Sequence, residues 1–426
     1  MRRPLLVVFC VVLIISFLVT NVKSESDNIE DDFITINGLV SNKVDKEKYT
    51  QYDVGDYLVK DYSKKINMKP GDVVNVNGKF KYYKNLKFED FDYGRYLKSN
   101  GYDGTIDIKS YEMVGNNLLY SKIFAMKDKV SKTMNYLYKD KSEFINSILI
   151  GEKDGIDKNV KEIFSKTGVS HILALSGLHV SILITIIGFS IGGIKKFYKL
   201  ILIGLLLWFY SIMVGQSPSI VRAIVCSLIA YIAVFIHKRS DGISNLSFIG
   251  IILVINNPYI IYNISFQLSF LATLSIIYFY GYINSKIKLK LIALTISANI
   301  LTLPLVYFHF KNISLVSVIS NVLVVPFLSI IIYLSIISAL IFPISLTLSK
   351  FMVIINSLII DIINNTLEFL YNLSFSYIEF EEVNNLIVIM YYIVIVIYMI
   401  YKEIKTVKEQ KHELQGYHQK HEQQRI

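Results

Sequence analysis

Residues 164–184 read FSKTGVSHILALSGLHVSILI, and they carry the strongest structural signal in the chain. They place His171, Ser176, Gly177 and His179 where a long apolar run begins. Polar side chains are costly in lipid, so within a membrane they face protein, a water-filled path or a binding site. The stretch therefore predicts a polar seam inside a bundle of membrane helices.

The composition favours a membrane protein over a soluble domain. The chain has 426 residues, of which 53% are hydrophobic and 18% are charged, and its mean hydropathy is +0.45. The formal net charge is +10, but residues 24–115 hold 14 Lys and Arg against 17 Asp and Glu. The positive surplus therefore lies beside the apolar runs, which is typical of cytoplasmic membrane loops rather than of a nucleic-acid-binding domain. Cys10 and Cys226 both fall in apolar runs, which predicts no disulfide framework and no metal site.

Residues 1–23 are predicted to be an uncleaved membrane anchor. Arg2 and Arg3 precede an apolar run at residues 5–20, and basic residues favour the cytoplasmic side. The small-x-small cleavage pattern of a signal peptide does not follow this run. We therefore expect the N-terminus in the cytoplasm and the next segment outside.

Residues 24–115 are predicted to form a small extracytoplasmic β domain. FITINGLV, YLVK and VVNVNGKF alternate with the period of two that strands show, and KPGD at residues 69–72 is a turn signal. EDFDYGRYLKSN at residues 89–100 predicts a helix that Gly101 ends. The aromatic residues of this region either pack a small barrel or stack bases; packing is favoured because a basic groove is lacking. They include Tyr82, Tyr83, Phe91, Tyr93 and Tyr96.

Residues 116–170 are predicted to be an amphipathic helical segment. Apolar residues recur at helical spacing from Leu119 to Leu137, with lysines between and after them. Such a helix lies at a membrane surface or packs against other helices; alternatively, its lysines meet phosphates. Residues 142–168 then predict a helical hairpin with a Gly-Asp turn region.

Residues 171–401 are predicted to be a polytopic membrane domain. Basic loops at Lys195, Lys238 and Lys286 alternate with apolar runs, so these loops are expected inside the cell. This gives about ten spans with the anchor, both termini in the cytoplasm, and a basic cytoplasmic tail at residues 402–426. Residues 313–342 exceed one straight span, so we expect Pro326 and Pro343 to divide the chain there into a broken or re-entrant element followed by a span. The runs are 171–194, 200–214, 219–236, 243–255, 266–283, 291–310, 313–342, 351–373 and 386–401.

Polar residues within these runs extend the seam. Arg222 either snorkels to the membrane surface or meets a phosphate or carboxylate partner. Gln267 more often makes a hydrogen bond between helices than a contact with substrate. Asn321 and Pro326 mark a predicted helix break, and broken helices often line transport pathways. The candidates for a translocation pathway are therefore His171, Ser176, Gly177, His179, Arg222, Gln267, Asn321 and Pro326.

Five segments together resemble the ComEC competence family. They are FDYGRYLKSNGYDG at residues 91–104, SGLHV at 176–180, SPSIVRA at 217–223, FQLSFLA at 266–272 and SNVLVVP at 320–326. The resemblance covers roughly residues 33–345. It implies an OB-like domain outside the membrane and a multi-pass channel in the cell membrane that imports single-stranded DNA. It also implies a DNA receptor and a cytoplasmic DNA-translocating ATPase as partners, besides membrane lipid and, as an open alternative, further copies of the chain.

The C-terminal region departs from the family pattern. Many members continue into a metallo-β-lactamase-like domain, whereas this sequence contains no H-x-H-x-D-H run. We therefore expect a separate nuclease, and neither catalytic residue, metal nor cofactor in this chain. Three alternatives stay open: a transporter of a small solute, a member that has lost DNA uptake, and an intramembrane hydrolase. The hydrolase would use Ser176 and His179, but the GxSxG and HExxH motifs are absent.

Overall fold

The computed structural model describes residues 4–21, 33–86, 92–190, 192–193, 195–215, 217–235 and 241–402. Four of the features predicted above lie outside these residues: Arg2 and Arg3, Phe91, the loop at Lys238, and the tail from residue 403 onward. The described part is mostly helical, with a β domain near the N-terminus.

The elements are numbered in chain order. The helices are α1 Pro4–Asn21, α2 Tyr93–Ser99, α3 Leu118–Tyr138, α4 Ser142–Ile150, α5 Lys158–Lys166, α6 Ser170–Leu173, α7 Gly177–Ser190, α8 Lys196–Val214, α9 Pro218–Phe235, α10 Gly242–Asn256, α11 Ile264–Lys286, α12 Lys290–Phe310, α13 Ser317–Ile341, α14 Leu346–Tyr371 and α15 Asn385–Lys402. The strands are β1 Phe33–Asp45, β2 Thr50–Val54, β3 Tyr57–Asp61, β4 Asp72–Tyr82, β5 Gly104–Asn116, β6 Asn312–Ser314 and β7 Tyr377–Glu379. A 3-10 helix, Pro258–Tyr262, joins α10 to α11.

Strands β1 to β5 close into a barrel in the order β1, β2, β3, β5, β4. β3 and β5 pair in parallel, and the other neighbours pair antiparallel. The period of two is clear in β4, where Val74, Val76 and Phe80 are buried and Asn77 and Lys79 are exposed. The barrel confirms that a β domain follows the anchor.

The predicted KPGD turn precedes β4 in the barrel and packs against the start of α3. Asp72 N–H donates to the Lys69 carbonyl oxygen at 3.0 Å, and Gly71 has φ +102°. A Cβ atom on Gly71 would lie 2.2 Å from Ser121 Oγ at the start of α3. Only glycine allows this conformation and this close approach together.

Several helices are suited to crossing a membrane. Seven helices of the described residues are long and apolar enough: α1, α8 and α11 to α15. Three shorter apolar helices, α7, α9 and α10, lie between them. Their outward side chains are largely apolar, as lipid requires. The predicted multi-span helical architecture is therefore confirmed in this general form.

The expected division at Pro326 is wrong, because α13 runs through it without interruption. A proline has no N–H group, so only the hydrogen bond to the carbonyl group of Val322 is lost. Val324 and Leu328, on either side of Pro326, are buried against neighbouring helices and hold the helix together. Helix α14 is continuous through Asp361, whose side chain accepts a hydrogen bond from Lys141 Nζ at 2.5 Å.

The bundle has two chemically different ends. At one end the barrel meets the Pro258–Tyr262 turn, where Tyr83 Oη lies 3.1 Å from Tyr259 Oη. At the other end of α11, Lys286 Nζ and Lys402 Nζ lie 4.7 and 5.6 Å from the centroid of the Tyr282 ring. The 23 residues of α11 separate these ends by about 34 Å at 1.5 Å per residue. We call them the barrel end and the lysine end.

Helix α3 packs against other helices, which was one of its two expected positions. Its buried residues join α4, α13 and α14 in the largest hydrophobic cluster. Asn356 of α14 donates to Tyr138 Oη at 2.8 Å and to Ser335 Oγ at 2.9 Å. The next helix, α4, is buried from Phe144 to Ile150, whereas Glu143 in its first turn is exposed. The segment therefore packs one side of α3 and nearly all of α4 into the helical core.

Candidate translocation pathway

The span predicted at residues 171–194 does not begin as one helix at His171. The single turn of α6 ends at Leu173, Ala174 is extended with φ −98° and ψ 134°, and α7 begins only at Gly177. The expected uninterrupted run at residues 171–194 is therefore wrong at its start. The helix is broken at the polar signature, where sequence reasoning placed a continuous one.

Ser176 and His179 form the cap of α7. His179 Nδ1 lies 3.1 Å from the backbone nitrogen of Ser176 and 3.1 Å from its Oγ. A side chain at the third helical position that accepts the N–H of the cap residue is the capping-box arrangement. Because Nδ1 accepts this N–H, the imidazole proton lies on Nε2. The structure thus explains this Ser-x-x-His spacing as a helix start.

The cap does not have the geometry of a hydrolase. Ser176 precedes the helix, so the expectation that Ser176 and His179 share one helix is wrong. His179 is 2% exposed, and its Nε2 is buried without a hydrogen-bond partner among the described residues. A catalytic histidine needs a third group to orient it. Apart from Ser176, no such group for His179 is found in the described part of the chain.

Two further basic side chains lie near His179. His171 is exposed on α6, and His171 and Lys153 both interact electrostatically with His179. Lys153 belongs to the exposed turn between α4 and α5. The helix break therefore lies beside three basic side chains that come from separate elements.

Gly177 joins this break to α9. A Cβ atom on Gly177 would lie 3.5 Å from Ala223 Cβ and 3.8 Å from Arg222 Nη2. Leu175, Val180 and Ala223 belong to one hydrophobic cluster between α7, α8 and α9. The structure thus brings SGLHV and SPSIVRA into contact, although about forty residues separate them in the sequence.

Arg222 is held between helices by neutral partners. Its Nε donates to Ser269 Oγ at 2.7 Å and its Nη1 to Thr273 Oγ1 at 2.7 Å, both on α11. No carboxylate within 4 Å of Arg222 is found among the described residues. Arg222 was expected either to snorkel or to meet a phosphate or carboxylate partner. Of these partners, a carboxylate is not found in the described part of the chain.

Sequence reasoning missed Ser269 and Thr273. They are four residues apart in FQLSFLATLS, a spacing that places two hydroxyls on one face of a helix. The spacing alone does not indicate an arginine partner, because many helices carry two hydroxyls four residues apart. Only the structure shows that Arg222 lies opposite Ser269 and Thr273.

Gln267 connects α11 to two neighbours at the barrel end. Its Nε2 donates to the Ile261 carbonyl oxygen at 2.7 Å, and its Oε1 lies 2.9 Å from His309 Nε2 of α12. Both contacts are between elements of the fold. Gln267 therefore does not join Ser269 in holding Arg222.

Asn321 and Pro326 lie on α13, whose Val324 shares a hydrophobic cluster with Ile172 and Leu173 of α6. Asn321 Nδ2 donates to the Ser317 carbonyl oxygen at 2.7 Å, within its own helix. His171, Ser176, Gly177, His179 and Arg222 lie around the break between α6 and α7. The described residues contain no group of three His, Cys, Asp or Glu side chains that could hold a metal ion.

The fold and this site define a class: a multi-pass membrane protein with a barrel at one end of the bundle and a polar break within it. Residues 148–405, more than half of the chain, match the family described as "Competence protein". The chain belongs to that family, and the resemblance found in the sequence is confirmed.

Two relatives show how far this similarity extends. The chain is 30% identical over 244 residues to "ComE operon protein 3" of Bacillus subtilis (strain 168), a match that covers 56% of this chain and 31% of the relative. It is 31% identical over 147 residues to an "Uncharacterized protein" of Aquifex aeolicus (strain VF5), covering 33% of this chain and 34% of the relative. The matched regions thus span about a third of each relative. No solved structure matches the chain.

Proposed function

We propose that this protein is the cell-membrane channel that imports single-stranded DNA during natural transformation. The observation that carries the proposal is Arg222, which lies within the family-matched residues. Its guanidinium has two hydroxyl partners and no acidic partner among the described residues. Guanidinium groups bind phosphate through paired hydrogen bonds, so the phosphates of a DNA strand suit this group.

The pathway passes the break between α6 and α7. His171, Ser176, Gly177, His179 and Arg222 surround it, and the positive charge of Arg222 favours a polyanion. Gln267, Asn321 and Pro326 contribute by shaping the helices around the path. Ser176 and His179 have no catalytic role in this proposal, because their contacts form a helix cap.

The orientation that we propose places the barrel outside the cell and both termini in the cytoplasm. The barrel end and the lysine end lie at opposite ends of α11, and basic loops favour the cytoplasmic side. An OB-like role for the barrel belongs to the same proposal. A DNA receptor outside, a DNA-translocating ATPase inside and a nuclease that supplies single strands would be the partners.

Deletion of the gene tests the proposal. We expect transformation to be lost while DNA still binds to the cell surface, and a wild-type copy to restore it. Unchanged transformation would refute the proposal. Unchanged transformation together with loss of uptake of a small solute would instead support the transporter alternative.

A further inference from the structure

Helix α3 follows the depth of the membrane bundle, although it is not among the apolar helices. At the barrel end, Gly71 of the barrel closely approaches Ser121 near the start of α3. At the other end, the Tyr136 ring centroid lies 5.6 Å from that of Phe342, and Tyr138 Oη lies 3.2 Å from Ser338 Oγ. The 21 residues of α3 extend about 31 Å.

Phe342 marks the lysine end of the bundle. It follows α13 directly and precedes the start of α14. The opposite ends of α13 and α14 are joined by the β6–β7 pair. That pair follows α12, whose His309 contacts Gln267 at the barrel end. Helix α3 therefore runs from the barrel end toward the lysine end.

The two faces of α3 differ in chemistry. Ile123, Met134, Leu137 and Tyr138 are buried. The opposite face, which we call the α3 lysine face, is exposed. It includes Lys122, Asp128, Lys129, Lys132 and Asn135, with Ala125, Met126 and Tyr136 exposed between them. Asp128 accepts a hydrogen bond from Lys132 at 2.6 Å, so Lys122 and Lys129 remain as the excess positive charge of this face.

An exposed charged face at this depth is incompatible with lipid. Charged side chains inside a bilayer face a protein interior or water rather than hydrocarbon. The exposed side of the neighbouring α14 shows the contrast, because Ile354, Leu358 and Ile362 are exposed there. Helix α14 therefore presents a lipid-facing surface, whereas α3 requires a different environment.

A cavity lies beside another side of α3. It has a volume of about 510 Å³ and lies between the barrel, the α4–α5 turn and the end of α8. Tyr120, Phe124 and Lys127 of α3 line it. With about 3.6 residues per turn, these three residues lie on the side of α3 away from Lys122 and Lys129, so the cavity is separate from the α3 lysine face.

We infer that the α3 lysine face forms the wall of a water-filled path along the bundle, and that Lys122 and Lys129 contact the phosphates of a polyanion. The choice of polyanion rests on the proposed function, and a single DNA strand supplies it. Lysine contacts to phosphates carry no sequence information, which suits a path that passes any sequence.

Thiol labelling tests the water-filled path independently of DNA import. Lys129→Cys and Leu358→Cys are made singly in full-length protein that lacks Cys10 and Cys226, and intact cells are treated with a small charged thiol reagent. We expect Lys129→Cys to react and Leu358→Cys to resist. Equal reactivity of the two cysteines would refute the water-filled path. Cross-linking of Lys129→Cys to a second copy would also refute it, because the face would then be covered by protein.

Charge reversal tests the polyanion. At equal membrane levels, we expect Lys129→Glu to lower transformation at least about tenfold, since a phosphate contact becomes a repulsion. The matched control is Lys161→Glu, the same change at an exposed lysine of α5, which should leave transformation unchanged. If Lys129→Glu and Lys161→Glu transform equally well, DNA does not contact Lys129, even if labelling supports the water-filled path.

Discussion

Arg222 offers the sharpest test of how the bundle handles a charged strand. Arg222→Ala removes two hydrogen bonds of 2.7 Å to Ser269 and Thr273. The Thr273 hydroxyl keeps a hydrogen bond in this variant, because its Oγ1 also donates to the Ser269 carbonyl oxygen at 2.9 Å. The variant should therefore fold and reach the membrane at normal levels.

The effect on import should be larger than the effect on folding. A hydrogen bond that involves a charged group contributes about 1.5–3 kcal/mol. If Arg222 holds one phosphate of the passing strand, Arg222→Ala should lower transformation by about tenfold to a hundredfold. Arg222→Lys keeps the charge but loses the forked geometry, so we expect an intermediate defect.

A matched control separates charge from packing. Ser269→Ala combined with Thr273→Val removes both partners of Arg222 but keeps the guanidinium. We expect this double variant to transform better than Arg222→Ala. The assay is transformation frequency with purified DNA, at membrane levels checked by immunoblot and with surface-bound DNA measured separately.

Two results would refute the reasoning about Arg222. Normal transformation by Arg222→Ala at normal membrane levels would show that the charge is not used. An equal loss in the double variant and in Arg222→Ala would show that Arg222 only packs α9 against α11.

Three further predictions follow from the barrel, the cap and the two ends of the bundle. In a cysteine-free background, Ser110→Cys should react with an impermeant reagent in intact cells, and Ser285→Cys only after lysis; the reverse result would invert the orientation. His179→Ala should destabilise the start of α7 by about 0.5–2 kcal/mol, as the loss of a cap does. Ser176→Ala keeps the backbone N–H that His179 Nδ1 accepts, so it should lower the melting temperature less; an unchanged melting temperature of His179→Ala would show that this cap does not stabilise α7. Burial raises the pKa of Tyr52 to about 12, so about 3 kcal/mol of stability should be present below pH 10 and be lost as pH rises from 10 to 12. Tyr52→Phe should show a flatter pH profile of unfolding of the purified protein, and an identical profile would contradict the burial argument.

The sequence predicted the helices and the barrel because both depend on local patterns. Apolar runs long enough to cross a bilayer and strands that alternate with a period of two each reflect a single face or a single environment. The polar signature at residues 171–179 was also visible, since polar groups at the start of an apolar run are rare. The ordered motifs then indicated the family, which the comparison confirmed.

The same local reasoning failed where a long-range contact decides the conformation. Pro326 was expected to divide a helix, but burial of Val324 and Leu328 against other helices outweighs one lost hydrogen bond. His171 was expected to lie in a continuous helix with Ser176 and His179, but the cap formed by these two residues begins a separate helix. A hydropathy pattern does not distinguish these cases, because it does not show what each residue contacts.

The sequence by itself determined the class of this protein, since membrane helices and a small β domain follow from composition and periodicity. Only the tertiary structure decided that Gly177 and Arg222 meet, and that hydroxyls 47 and 51 residues beyond Arg222 hold its guanidinium. It also decided that α3, whose lysines would suit a membrane surface, runs along the bundle. The physical reason is that burial and partnership of polar groups depend on helix packing, which brings together residues that are distant in the chain.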